Sequence, residues 1–365
     1  MSGNIVFPGF TAPKLSWVRN NEPEIFDKID KVLLPAALLN NYLTGDYVAD
    51  KSDSSGTSWL DVGKRNWSNY LLNAGQMRLD QMPRLVEGSE RAGTLRSDLA
   101  AQWGLGRDVV VAGGAGDNAA AACGIGALNE GAGFVSLGTS GVILVARKRY
   151  AASPDAAVHT FCHAVPGHWY QMGVMLSATD SLNWLSRITG KPPADLTFAL
   201  GKELQPPGAV RFFPYLSGER TPHNDSQIRG GFTGLSTGTT IEDLTRAVLE
   251  GVAFGLRDSF QALQSTGVDI EGLMAIGGGS ASTYWLKQIA TVLDIPLLVP
   301  SGREFGAALG AARLGLLAAT DRALSDVLIA PDISEKIAPE TRLSAAMEDA
   351  YGAFRNAYSG LRQIQ

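Results

Sequence analysis

Two short stretches carry residue types whose spacing could do chemistry. The first is Asp108-Val-Val-Val-Ala-Gly-Gly-Ala-Gly-Asp117-Asn118. An apolar run ends in glycines, and a carboxylate stands where a helix of small residues, Asn118 to Gly124, begins. In open α/β sheets, ligands collect at the carboxyl ends of strands. Asp117 is therefore placed to take a proton from a bound hydroxyl, and a helix N-terminus favours the ionised carboxylate that a base needs. The second stretch, Gly133-Phe-Val-Ser-Leu-Gly138-Thr139-Ser140-Gly141-Val142, reads as strand, tight turn, strand. Such a turn brings backbone N–H groups and two hydroxyls to one point, as an anion requires. A carboxylate beside a phosphate cup points to phosphoryl transfer. Each stretch also has a purely structural reading. Aspartate is among the preferred helix N-caps, Gly138–Gly141 can be an ordinary hairpin turn, and the glycines at 277–279 can serve chain packing alone.

The elements that must position these residues differ between the two halves of the chain. Beyond Gly131, strands are expected at 133–137, 142–146, 158–163, 168–175 and 210–214. Helices are expected at 179–189, 241–265, 282–293, 304–318 and 340–360. The pair of strands around Pro166-Gly167 reads as a hairpin. Residues 272–301 read as strand, glycine loop, helix, strand, a βαβ unit whose glycines allow close approach of a ligand. Before Asp108 the pattern is weaker. Short helices are expected at 14–19, 22–29, 37–43, 67–74 and 97–103, and 49–58 reads as a polar loop. The strand at 108–112 has few visible partners, so the first part is either mostly helical or short of strands. The domain boundary falls near Gly131, giving lobes of 1–131 and 132–365 with a cleft between them.

Composition narrows the function classes. A chain of 365 residues predicts more than one domain. Hydrophobic residues at 45% and charged residues at 18% supply a core and argue against disorder. A net charge of −5 with no basic run argues against nucleic acid or an anionic membrane as partner. The two cysteines, Cys123 and Cys162, form no disulfide framework and suit a reducing cytoplasm. The N-terminus does not read as a signal peptide, and no stretch is long and apolar enough to span a bilayer. His159, Cys162, His163 and His168 invite a zinc reading. In a strand, however, residues 159 and 163 lie too far apart for one ion, so they are taken as structural and no metal ligand is assigned. There is no Walker A sequence. Gly114-Ala-Gly-Asp-Asn-Ala119 does fit the Gly-x-Gly-x-x-Ala fingerprint of NAD-binding proteins. Against that, Asp117 would put a carboxylate where the pyrophosphate must sit. The acidic residue expected about 20 positions on is also missing, Glu130 falling earlier in a loop.

Over nearly its whole length the sequence resembles the FGGY carbohydrate kinases, and among them the members that phosphorylate xylulose. The matching stretches are Pro8-Gly-Phe-Thr-Ala-Pro-Lys-Leu-Ser-Trp17, Asp30-Lys-Val-Leu-Leu-Pro35, Gly113-Gly-Ala-Gly-Asp-Asn118, Ser136-Leu-Gly-Thr-Ser-Gly141, Pro214-Tyr-Leu-Ser-Gly-Glu-Arg-Thr-Pro-His223, Gly230-Gly-Phe-Thr-Gly-Leu235 with Asp243 to Glu250, and Gly277-Gly-Gly279. The resemblance implies an α/β fold of two ribonuclease-H-like (actin-like ATPase) lobes closing on sugar and ATP. It implies Asp117 as general base, touching the sugar together with Asn118. It places the phosphates on Gly138, Thr139 and Ser140, with Mg²⁺, and the adenosine on Gly278, Gly279 and the helix start at Ser282. The family's opening strand with its Asp-x-Gly-Thr phosphate hairpin, its Met-His-Gly segment and its Trp-Asn-Asp segment have no counterpart in the sequence. Asp53-Ser-Ser-Gly-Thr57 imitates the hairpin but aligns with another loop. The expectation is therefore a first lobe lacking its opening part. Such a chain would bind nucleotide without turning over sugar, and would either be poorly soluble or borrow stability from self-association, for example as a homodimer.

Overall fold

Side-chain alternation along strands builds the second half of the protein. In the computed structural model, which describes residues 1–302 and 306–364, a seven-stranded mixed sheet forms its spine. The strand order is Ile333–Ile337, Leu297–Pro300, Leu273–Ile276, Gly133–Leu137, Gly141–Arg147, Trp169–Met175, His159–Cys162. Successive side chains of a strand point to opposite faces. Accordingly Val135, Leu137, Ile143, Val145 and Met175 enter one apolar cluster, while Phe134, Leu144, Tyr170, Met172 and Val174 enter another. Helices Ile241–Gln264, Thr283–Leu293 and Ser344–Gln363 close the first face. Helices Asp117–Gly124 and Ala307–Ala319 close the second. Thus the helix that begins at Asp117 lies on the sheet of the second half.

Most of the expected elements of this half are present. The hairpin around 166–167 pairs Trp169 with Cys162 and Met172 with His159. Strands Leu273–Ile276 and Leu297–Pro300 run parallel, joined through helix Thr283–Leu293. The strand expected at 210–214 is Arg211–Phe213, but it leaves the main sheet and pairs with Gly231–Thr233. The helix expected at 304–318 is seen as Ala307–Ala319, residues 304 and 305 lying outside the described residues. Strand Gly133–Leu137 is parallel to Leu273–Ile276, which is parallel to Leu297–Pro300. The carboxyl ends of these strands therefore share one edge of the sheet, the place where open sheets bind ligands.

The first part departs from the sequence reading. Strand Val110–Ala112 does have a partner, Arg91–Thr94, in an antiparallel pair. Val48–Asp50 pairs in parallel with Arg84–Val86, and Leu60–Asp61 pairs antiparallel with Asn66–Trp67. These strands are too short, and Arg91-Ala-Gly-Thr94 too poor in β-branched and aromatic residues, to give a pattern. The polar loop expected at 49–58 is instead a strand end, the helical turn Lys51–Ser54 and the 3₁₀ turn Ser55–Thr57. Asp50, Ser52, Ser54, Ser55, Thr57 and Ser58 are all buried there. Arg65 ties this part to the second half, donating to the carbonyls of His163 at 3.1 Å and Val165 at 3.2 Å. At the other end of the segment, Asn4 covers the outer edge strand of the sheet, His159–Cys162. Its amide donates to Thr160 O at 2.9 Å and accepts Thr160 N–H at 2.8 Å, satisfying both groups of an edge residue.

Candidate active site

After Ala112 the chain threads a gap that only glycines fit. A Cβ on Gly113 would lie 2.4 Å from Glu87 O, and Gly114 has φ +82°. Asn40 Nδ2 holds Gly113 O at 2.9 Å, and Gly114 N–H donates to Gly88 O at 3.1 Å. Gly116 is the N-cap, and Asp117 is the first helical residue. Asp117 is thus not the cap that one sequence reading made it. Its Oδ1 accepts the N–H of Asn118 at 2.7 Å and the Asn118 side-chain amide at 3.1 Å, and the residue is exposed. Asp117 and Asn118 are therefore joined in one unit.

Sequence reasoning missed what surrounds Asp117. Burial, and next the charge of Asp117, raise the carboxyl of Asp53 above its usual range, so the two carboxylates are near neighbours. Asp50, behind Asp53, is pushed up to about 7, chiefly by burial. The signal that could have found this turn is an N-cap pattern: the Asp50 carboxylate accepts the N–H groups of Ser52 at 2.8 Å and Asp53 at 3.0 Å. The small residues after Asp117 also acquire a reason. Gly310 lies so close to this helix that a Cβ there would sit 1.7 Å from Ala120 O, and Arg313 caps the helix end through Cys123 O and Gly124 O.

The residues expected to meet nucleotide lie at the shared carboxyl edge of the parallel strands. The 138–141 turn is fastened through its carbonyls. Gly138 O accepts Thr179 N–H at 2.9 Å and the Thr179 hydroxyl at 2.8 Å, and Thr139 O accepts Ala178 N–H at 2.8 Å. Gly138 N–H turns inward to Ser140 O at 3.1 Å. Among the described residues, the Thr139 and Ser140 hydroxyls form no hydrogen bond. Gly277 needs its φ of +85°, and a Cβ there would meet the backbone of Leu137 at 2.9 Å. Ser282 caps the next helix, accepting Trp285 N–H at 3.3 Å.

A cavity of about 810 Å³ brings Gly138, Gly278, Gly279 and Ser282 together, within the range of small-molecule sites. Thr139, Ser140, Asp117 and Asn118 do not line it. A second cavity of about 790 Å³ lies across the same glycine loop, against Ser136, Gly278 and Ser301. The first cavity also takes Asn183, Thr197, Phe198 and Lys202, which sequence reasoning did not single out. Asn183 and Lys202 are exposed polar residues that read as solvent-facing, and Thr197 and Phe198 lie on the short helix Pro193–Phe198, where no motif marks them. The histidines diverge. His159 packs against Phe7, Phe10 and Phe161, whereas His163 faces His168 and Tyr170. Both are pushed down to about 3, by burial first, and are neutral at pH 7.

Comparisons with known proteins identify the family and the fold. The description "FGGY family of carbohydrate kinases, N-terminal domain" matches residues 1–124, and its C-terminal counterpart matches residues 133–319. The chain is 43% identical to the xylulose kinase of Escherichia coli (strain K12), over 99% of this chain and 75% of that protein. It is 41% identical to the xylulose kinase of Klebsiella pneumoniae, over 100% of this chain and 75% of that one. The crystal structure titled as a "xyloylose kinase" from Brucella ovis superposes with a TM-score of 0.98 at 55% identity, covering 100% of this chain and 75% of that one. The expected lack of the first lobe's opening part gains no support from these matches, since the N-terminal description is met over residues 1–124. The chain is an α/β two-lobe sugar kinase in fold, and it belongs to the FGGY family of carbohydrate kinases.

Proposed function

We propose that the protein transfers the γ-phosphoryl group of ATP to the terminal hydroxyl of D-xylulose, giving D-xylulose 5-phosphate and ADP. The observation that carries the substrate is the 43% identity over 99% of the chain to a protein named xylulose kinase. The hydroxyl oxygen attacks the γ-phosphorus, its proton passes to the Asp117 carboxylate, and the bond to the β-phosphate oxygen breaks. Asn118, hydrogen-bonded to Asp117, contacts the sugar beside it. Gly138, Thr139 and Ser140 meet the phosphates, and Gly278, Gly279 and Ser282 meet the adenosine. The cavity that gathers four of these residues supports the nucleotide side of the reading. Among the described residues no group of three carboxylate, histidine or cysteine ligands is gathered for a metal. Mg²⁺ would accordingly arrive on the nucleotide phosphates, its usual mode, and neutralise their charge. The reading keeps the lobes as 1–131 and 132–365 along the sequence, with helix Asp117–Gly124 packed on the sheet of the second. It also includes a homodimer, which light scattering would check, and a cytoplasmic site of action.

Coupled ADP release with D-xylulose and Mg-ATP tests the reading. Release should depend on D-xylulose and fall by about 10²–10⁴-fold in Asp117→Asn, the range general-base catalysis supplies. The melting temperature of that variant should hardly move, because only a favourable charge–dipole contact of about 0.3–1 kcal/mol is lost. Release driven by another sugar or polyol alone would move the substrate. Binding of NAD with none of ADP would overturn the kinase reading for this chain.

A further inference from the structure

The turn that follows strand Val48–Asp50 reaches the residue just before the base. Asp50 and Ser52 are both buried, at 2% and 1% exposure. The Ser52 hydroxyl donates to Asp50 Oδ1 in a short hydrogen bond. A hydroxyl has one proton and two lone pairs. With the proton held by Asp50, the lone pairs face away, and one accepts the Gly116 N–H at 3.1 Å across 64 residues of sequence. Gly116 is the N-cap of the Asp117 helix, so its N–H lies outside the helical ladder and needs a partner from elsewhere. The same turn touches Gly116 sterically. A Cβ built on Gly116 would lie 3.5 Å from both Cα and Oδ1 of Asp53, ordinary contact. Replacing the buried Ser52 hydroxyl by a methyl removes the protein partner of the Gly116 N–H, which costs stability.

We propose that Ser52, oriented by Asp50, is a positioning residue that fixes Asp117 through the backbone of Gly116. This inference rests on the proposed role of Asp117 as base. Ser52 touches neither sugar nor nucleotide. It sets where the carboxylate stands, and misplacement by about 1 Å can cost about 10²-fold in rate.

The test uses the full chain with Ser52→Ala, Ser52→Thr and Asp117→Asn side by side. Three quantities are read: kcat with D-xylulose and Mg-ATP, the Kd for ADP, and hydrogen exchange of the Gly116 amide by NMR. Ser52→Ala should lower kcat by about tenfold or more, leave the ADP Kd within twofold of wild type, and speed Gly116 exchange. Ser52→Thr, which keeps the hydroxyl, should recover both kcat and protection. If Ser52→Ala keeps full kcat and Gly116 protection while Asp117→Asn is inactive, the positioning role is overturned and the base stands. A parallel fall of kcat, ADP affinity and melting temperature would mean general damage and would equally overturn it. If Asp117→Asn stays active, the base reading itself fails, and Gly116 exchange still decides whether Ser52 holds that backbone.

Discussion

Gly310 offers the sharpest test of how the helix that begins at Asp117 is held. It lies on helix Ala307–Ala319, and a Cβ there would stand 1.7 Å from Ala120 O, 2.5 Å from Ala120 C and 3.0 Å from Gly124 N. All three are backbone atoms of helix Asp117–Gly124, so no side chain can swing away. Restoring an ordinary contact of 3.4 Å requires the helices to part by about 1.7 Å. Overpacking of this kind costs about 1–3 kcal/mol, occasionally more. Parting also strains the bonds from Arg313 to Cys123 O at 3.0 Å and Gly124 O at 2.7 Å, each of a charged type worth about 1.5–3 kcal/mol. Gly310→Ala should therefore lose roughly 3 kcal/mol or more, a fall of about 6–12 °C in melting temperature for a domain of ordinary size. The shift of Asp117 should lower kcat by about 10²-fold. Gly315→Ala is the control. It sits on the same helix, a Cβ there meets nothing within 4 Å, and it should stabilise by about 0.4–1 kcal/mol. Differential scanning calorimetry with the ADP-release assay reads both effects. If Gly310→Ala melts and turns over like wild type, the close contact does not hold the helix and the reasoning fails.

Two further outcomes are expected. Asp50 is raised from 3.8 to about 7, so it favours the folded state fully below pH 3.8 and that contribution is lost as pH rises toward 7. Glu219, at about 8, and Glu250, at about 7, slope the same way, so the comparison must be variant against wild type. Asp50→Asn keeps an acceptor and cannot ionise, so its stability relative to wild type should rise between pH 4 and pH 8 by at most about 4 kcal/mol. A pH-independent difference in urea titrations would refute the assignment. Gly278 lines both cavities, and a Cβ there meets nothing within 4 Å. Gly278→Val should leave stability within about 0.5 kcal/mol and weaken ADP by about tenfold or more, or about 1.4 kcal/mol by calorimetry. Unchanged ADP affinity would remove this loop from the nucleotide site.

What was legible in the sequence follows the range of the interactions involved. Strands such as Gly141–Arg147 and Trp169–Met175 are long enough for apolar residues to declare themselves, and their partners lie close along the chain. Arg91–Thr94 is too short and too polar to be seen until Val110–Ala112 pairs with it. Asp117 stood out because its chemistry is local: a glycine run, a carboxylate and a helix start follow one another. Its supports are not local. Ser52 sits in a run of serines and aspartates that composition reads as a solvated loop. Only the fold buries that run and turns one hydroxyl toward Gly116, 64 residues on. The alanines from 119 to 122 permit a close neighbour without naming it, because a small side chain leaves room but does not say what fills it. The neighbour is a helix 190 residues away, whose Gly310 looks like any helical glycine until the Ala120 carbonyl is found against it. A candidate such as Asp117 can thus be read from its neighbours in sequence, whereas the residues that contact it from elsewhere are set by tertiary packing and become visible only in the structure.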